Sequence, residues 1–235
     1  MKNTLLLIIG AFTIVFVIYL RNSWWAPTQP EELNSIRLHS VPAIVEITTH
    51  VAYQNKYFEQ EGLNVDLTIN PDGKTSLENL FAGKADIIHV MGTPVVFSSL
   101  KRNDFYIIGN IKHSKIHFIV ARKDRGIKLS SDLIGKKIGV MRGTSADFFM
   151  DSYFIYNNLR PSDIKIINMN GPEMVNSIEN GEIDALFCWS PFPQIAQEKL
   201  GDNALILTSD EIVSGSWVII VMKEFAHKHP IILEK

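Results

Sequence analysis

Short apolar runs recur along this chain, cut by glycine, proline, asparagine and aspartate into segments that switch between two periodicities. Residues 35–40 (SIRLHS) alternate and predict a strand. Pro42 suits the first turn of a helix, and Ile44, Ile47, Val51, Tyr57 and Phe58 are spaced as one helical face that stops at Gly62. Residues 64–69 (NVDLTI) predict a second strand and Asn70-Pro71-Asp72-Gly73 a turn. A short helix over residues 76–81 ends at Gly83, and residues 86–90 (DIIHV) form a third strand. After Met91-Gly92-Thr93-Pro94 a helix reaches Leu100, and a strand follows at 105–109.

The same grammar restarts after the apolar strand 116–121 (IHFIVA) and the charged segment 122–128. Strands are predicted at 137–141, 164–169, 183–188 and 204–207, with helices from Ser145 to about Leu159, over 173–179 and from Pro191 to Leu200. A last strand, 216–222 (SWVIIVM), precedes a helix near Lys223. Strands alternating with helices predict a largely parallel sheet covered on both faces.

The two halves echo each other. Residues 80–86 (LFAGKAD) match 178–184 (IENGEID): a helix ends at glycine, aspartate comes three residues later, and a strand follows. The segment 35–47 likewise corresponds to 137–149 as strand, turn and helix. Two α/β lobes are therefore expected, lobe I from residues 33–120 and 214–235 and lobe II from 121–213, joined by two crossing strands that act as a hinge.

Residues 136–150 (KKIGVMRGTSADFFM) are the centre of this organisation. Gly143 breaks the strand, and Thr144 or Ser145 stands where a hydroxyl caps the next helix. The free amides of that first turn, at the positive end of the helix dipole, suit an anion. Ligands of open α/β sheets sit beyond the carboxyl ends of the strands. That rule selects four turns as ligand-binding: His39-Ser40-Val41-Pro42, Met91-Gly92-Thr93, Gly143-Thr144-Ser145, and Trp189 before Ser190-Pro191. They supply hydroxyls, amides and an aromatic wall, with no evident acid–base set. Arg142 is either a further anion ligand or a solvated side chain, and Asp147 and Asp151 are expected to face solvent.

Composition narrows the choices. The 235 residues are 46% hydrophobic and 20% charged, and a net charge of −2 without a basic run gives nucleic-acid binding no electrostatic support. The single cysteine, Cys188, excludes an internal disulfide and a CxxC metal site; in its apolar run it is expected to be a buried, inert thiol. His39, His89 and His113 fall near predicted strand ends of one lobe, but no paired histidine spacing or HExxH pattern supports a metal site. Ser145 lacks a G-x-S-x-G elbow, so no hydrolase nucleophile, and no metal or cofactor, is expected. Residues 5–20 are almost wholly apolar, lie between Lys2 and Arg21, and are followed by Trp24-Trp25 without a small-residue cleavage pattern. An uncleaved N-terminal transmembrane anchor over residues 1–26 is expected, with a signal peptide as the second reading.

Residues 132–140 (DLIGKKIGV), Gly143-Thr144, Gly181-x-Ile183-Asp184-Ala185 and Trp189-x-Pro191 resemble the type II periplasmic substrate-binding proteins of ABC importers. The branch is the one for nitrate, sulfonates, taurine and thiamine precursors. Residues 55–65 (NKYFEQEGLNV) match that family's first helix–strand junction. The resemblance implies a bilobed α/β fold that traps a small polar or anionic solute and hands it to permease and ATPase subunits, as a monomer on the extracytoplasmic side and without chemistry of its own. It implies that Gly143, Thr144 and Ser145 hold the solute's charged end, that Met91, Gly92 and Thr93 face it from the other lobe, and that Trp189 walls the pocket. Members usually continue past the Trp217 strand with helices that cover the first lobe, so that lobe is expected to be less covered here. Two alternatives remain open: a tethered sensory domain, and an enzyme similar to the thiamine-pyrimidine synthases.

Overall fold

The computed structural model describes residues 34–115, 117–207 and 215–235. The expected anchor over residues 1–26 lies outside the described residues, among which no helix is long and apolar enough to cross a membrane.

Where apolar side chains alternate or run together beside glycine and proline, strands form, and among the described residues they assemble into two five-stranded sheets. The first has the order β2-β1-β3-β10-β4, built from β1 (Asn34–Ser40), β2 (Leu63–Ile69), β3 (Ile87–Met91), β4 (Phe105–Ser114) and β10 (Gly215–Met222). The second has the order β7-β6-β8-β5-β9, built from β5 (His117–Arg122), β6 (Lys137–Val140), β7 (Lys165–Asn168), β8 (Ala185–Trp189) and β9 (Ala204–Leu207). In each sheet three parallel strands are joined by an antiparallel fourth, β10 beside β3 and β5 beside β8. The periodicity predicts the strands but not this antiparallel insertion, because β10 comes from the far side of the sequence to sit between β3 and β4. The connection from β9 to β10, the second of the two expected crossings, lies outside the described residues.

Helices α3 (Gly73–Phe81) and α4 (Gly92–Ser99) cover one face of the first sheet, packing Leu77, Leu80 and Val95 on Ile88, Val90, Val218 and Ile220. Helix α5 (Ser145–Tyr156) lays Phe149, Tyr153 and Phe154 around Phe187, with ring centroids 5.5–5.8 Å from it. On the opposite face of that sheet, α6 (Gly171–Glu179) and α7 (Phe192–Leu200) bury Met174, Ile178, Leu186, Cys188 and Ala196.

The internal echo has a physical basis. Asp86 accepts the Arg37 amide at 2.8 Å, and Asp184 accepts the Lys137 amide at 2.9 Å. Each aspartate, directly before its own strand, thus ties that strand's start to the neighbouring strand. Arginines close the matching helix ends, Arg37 donating to the Gly83 carbonyl and Arg125 to that of Gly181.

The first helix departs from its expected orientation. A 3-10 turn at Ile44–Glu46 precedes α1 (Ile47–Gln54), and Lys56 takes a left-handed conformation (φ 58°) before the short α2 (Tyr57–Gln60). The tighter turn moves the buried stripe to Val45 and Thr49, with the half-buried Ala52 continuing it. Ile44 (74% exposed), Ile47, Val51 and Tyr57, expected to face the core, face outward.

Candidate functional site

A cavity of about 270 Å³ opens between the two sheets. Its wall comes from the segment after β1 (Val41, Pro42, Ala43), the turn after β2 (Pro71, Asp72, Gly73, Lys74), the end of β3 with the start of α4 (Val90, Met91, Pro94), Thr144 and Ser145 at the head of α5, Trp189, Pro191 and Phe192 after β8, and Trp217 of β10. Most of this surface is apolar. Trp189 packs against the buried cluster of Val41, Val45, Met91 and Trp217 from the other sheet, and stands edge-on to Phe192 with centroids 6.1 Å apart. Two further contacts tie the sheets' helices across the cleft. Lys74 Nζ donates to the Arg142 carbonyl at 3.3 Å, and Phe97 of α4 meets Phe148 of α5 edge-on at 6.4 Å.

Four helices, α3, α4, α5 and α7, begin at this cavity. At α3 the donors are occupied, since Asp72 accepts the Thr75 amide at 2.8 Å and the Thr75 hydroxyl at 3.2 Å. At α4 and α5 no side chain caps the helix. The Thr144 hydroxyl, expected as a cap, turns back and donates to the Met141 carbonyl at 2.7 Å. Asp147 replaces it one step outside, accepting the Gly143 amide at 2.9 Å and the Arg142 guanidinium at 2.6 Å. Arg142 and Asp147 are thus paired with each other, and the first-turn amides of α5 keep their polarity toward the cavity.

Behind the first sheet's share of the wall lies a buried anion. Glu46 is 0% exposed; its carboxylate accepts His89 Nδ1–H at 2.8 Å, the Ser40 hydroxyl at 2.9 Å and the Trp217 indole N–H. Burial pushes its carboxyl upward, but these bonds outweigh burial and hold it below the usual range.

Ser145 has a different partner. Its Oγ lies 2.8 Å from Nε2 of His117, whose ring is stacked on Phe149 with centroids 5.4 Å apart. His117 is 8% exposed, and its Nδ1 is buried without a hydrogen-bond partner among the described residues. Burial pushes this imidazole down to about 4, so it is neutral at neutral pH. A serine beside a histidine has the outline of a nucleophile and its base, yet that pairing requires a group to orient the base through its other nitrogen. Here Nδ1 has no such group, and the ring is a poor proton acceptor.

Of the sequence-selected residues, Pro42, Met91, Thr144, Ser145 and Trp189 line the cavity. His39, Ser40, Gly92, Thr93 and Gly143 stand behind or beside it. His39 accepts from the Asn70 amide at 2.9 Å, and Ser40 is committed to Glu46. His39, His89 and His113 each bond a different partner, and among the described residues no group of three metal-ligating side chains converges. Cys188 is buried, and burial pushes its thiol up to about 12. Sequence reasoning missed Asp72, Lys74, Trp217 and His117. The turn holding Asp72 and Lys74 follows a strand's carboxyl end and was open to the rule used for the others. Trp217 lies on an antiparallel strand, to which that rule does not apply, and nothing local marks His117.

A family model described as NMT1/THI5 like matches residues 46–235. The chain is 28% identical over 174 residues to a putative aliphatic sulfonates-binding protein of Bacillus subtilis, covering 74% of this chain and 52% of that protein. It is 25% identical over 185 residues to the taurine-binding periplasmic protein of Escherichia coli, covering 75% and 55%. The chain thus spans about half the length of the curated relatives it matches. Among solved structures, the alkanesulfonate-binding protein of Xanthomonas axonopodis bound to MOPS superposes with a TM-score of 0.73 at 19% identity, over 86% of this chain and 70% of that one. The periplasmic aliphatic sulphonate binding protein of Escherichia coli gives 0.72 at 19% identity, over 86% and 69%. These likenesses establish the two-sheet α/β fold of periplasmic binding proteins.

Proposed function

The chain belongs to the NMT1/THI5-like family, and we propose that it is the extracytoplasmic solute-binding component of an ABC importer, closing its two α/β lobes on a small organic anion. Lobe II carries the second sheet, and lobe I carries the first together with the returning β10. One observation carries the reading: an uncapped helix N-terminus with Ser145 and Lys74 lies at a cavity whose remaining wall is mostly apolar and holds two tryptophans.

The chemistry of that wall favours a sulfonate with an apolar body. Its charged head meets the amides of α5 and the Lys74 ammonium, while its body displaces water from Trp189, Trp217 and Met91. Nitrate is too small to use these walls. The ammonium of taurine needs an acceptor, and the one carboxylate lining the cavity among the described residues, Asp72, already accepts two bonds from Thr75 and so meets an ammonium less readily than a free carboxylate does. The names of the sulfonate-binding and taurine-binding relatives support the same class. The loaded monomer presents its solute to permease and ATPase subunits, held at the membrane by the apolar segment 5–20.

Thermal unfolding of the full chain with 1-butanesulfonate, taurine or nitrate tests this. Butanesulfonate is expected to raise the midpoint most; a ligand at a hundredfold excess over Kd adds about 2.7 kcal/mol. A chain stabilised by none of the three refutes the reading.

A further inference from the structure

The one buried side-chain nitrogen or oxygen without a hydrogen bond, among the described residues, is Nδ1 of His117. The other nitrogen of that ring meets Ser145, which lines the cavity. A neutral imidazole carries one proton, and its location decides what Ser145 offers a solute. With the proton on Nδ1, a buried N–H has no acceptor, and Ser145 spends its own proton on Nε2. The serine then turns lone pairs to the cavity. With the proton on Nε2, the orphan is a lone pair, which proteins tolerate better than an orphan N–H. Ser145 Oγ accepts from the ring, and its O–H is released.

We propose that His117 is a positioning residue for anion binding: its Nε2–H donates to Ser145 Oγ, so that the serine hydroxyl is a dedicated donor to the solute. The inference rests on the solute-binding reading for its consequence, but not for the ring's protonation. Among the described residues the Ser145 hydroxyl makes no other hydrogen bond, and the cavity is the open direction for its proton. The stacking of the ring on Phe149 fixes its plane, and β5 fixes its origin, so the pair is set before solute arrives. The tautomer therefore makes this corner of the cleft a donor, beside the α5 amides, and selects an oxoanion over a cation or a hydrogen-bond donor.

Two measurements decide it. Nitrogen-15 spectra of histidine-labelled, ligand-free full chain, with the His117 signals assigned by their loss in His117→Gln, are expected to show the proton on Nε2. A proton on Nδ1 overturns the proposal. Titration calorimetry with 1-butanesulfonate then compares variants. His117→Phe, which keeps a stacking ring, and Ser145→Ala should each weaken binding about tenfold, the double variant no further, while His117→Gln, whose amide reaches Ser145 with an N–H, retains most affinity. Unchanged affinity in His117→Phe overturns the proposal. A wild-type chain that binds no sulfonate refutes the solute reading instead, and the nitrogen spectra still decide the tautomer.

Discussion

The indole N–H of Trp217 donates to the carboxylate of Glu46, 171 residues earlier in the chain. The bond holds a cleft-lining ring from behind. Glu46 belongs to the 3-10 turn after β1 and Trp217 to β10, so one buried carboxylate ties the segment after the first strand to the last. His89 and Ser40 complete its coordination.

Removing that carboxylate takes the acceptor from the Trp217 indole and leaves His89 and Ser40 only their longer contacts, to Thr49 at 3.4 Å and His50 at 3.5 Å. Glu46→Ala is expected to lower stability by about 3 kcal/mol in urea unfolding, and Glu46→Gln, which keeps an acceptor for the indole, by about 1–2 kcal/mol.

The same group makes stability fall in acid. Its carboxyl titrates lower folded than its ordinary 4.5, so folding favours the ionised form. The contribution is fully present above that unfolded value and is lost as pH falls through the folded one. The urea midpoint of the wild type should therefore drop more steeply below about pH 4.5 than that of Glu46→Gln.

Lys74 is the one cationic side chain in the cavity wall among the described residues, and it is half-buried with a single bond, to the Arg142 carbonyl. Lys74→Met should weaken butanesulfonate binding about tenfold and flatten its salt dependence. Stability should change by less than about 0.5 kcal/mol. Calorimetry at two ionic strengths reads the first, urea unfolding the second.

Gly171 opens α6 with no room for a side chain: a Cβ there would lie 2.3 Å from the Phe192 ring. Gly171→Ala should displace that ring toward Trp189, costing about 1–3 kcal/mol and some solute affinity. Adding Phe192→Leu should recover part of the stability, as urea midpoints of the three variants will show.

With its thiol pushed up to about 12 and no exposed surface, Cys188 should not react with an aromatic disulfide reagent at pH 8 until urea unfolds the chain. Fast labelling of the native protein would show that β8 opens locally.

Element positions were legible because they depend on local periodicity: β1, β2, β9 and β10 lie within a residue of where alternation and turn residues put them. The Gly-x-x-Asp echo was legible for the same reason, since helix end, clamp and strand are contiguous in each lobe. What escaped depends on partners distant in sequence or on a small change of helical pitch. A 3-10 turn at Ile44–Glu46 rotates the following helix and turns Ile47 and Val51 outward, although their spacing is sound. Thr144 has the residue type of a cap, but the Met141 carbonyl competes for its hydroxyl. Trp217 reaches the cleft only through the pairing of β10 with β3, and His117 meets Ser145 only because β5 lies beside the head of α5. Neither approach leaves a mark in the neighbouring residues.

The place of β10 sets an order of assembly. The strands of the second sheet are consecutive, 117–207, and all have been made before residue 215 is added. That half has everything it needs to fold early. The first sheet does not: among the described residues β4 pairs with no strand but β10, and β3 presents its open edge until β10 arrives. Such late, distant pairing is slow and leaves an edge exposed to other chains. The half of the protein that begins first is thus the one that finishes last, and a nascent chain stalled before residue 215 should aggregate through β3 and β4.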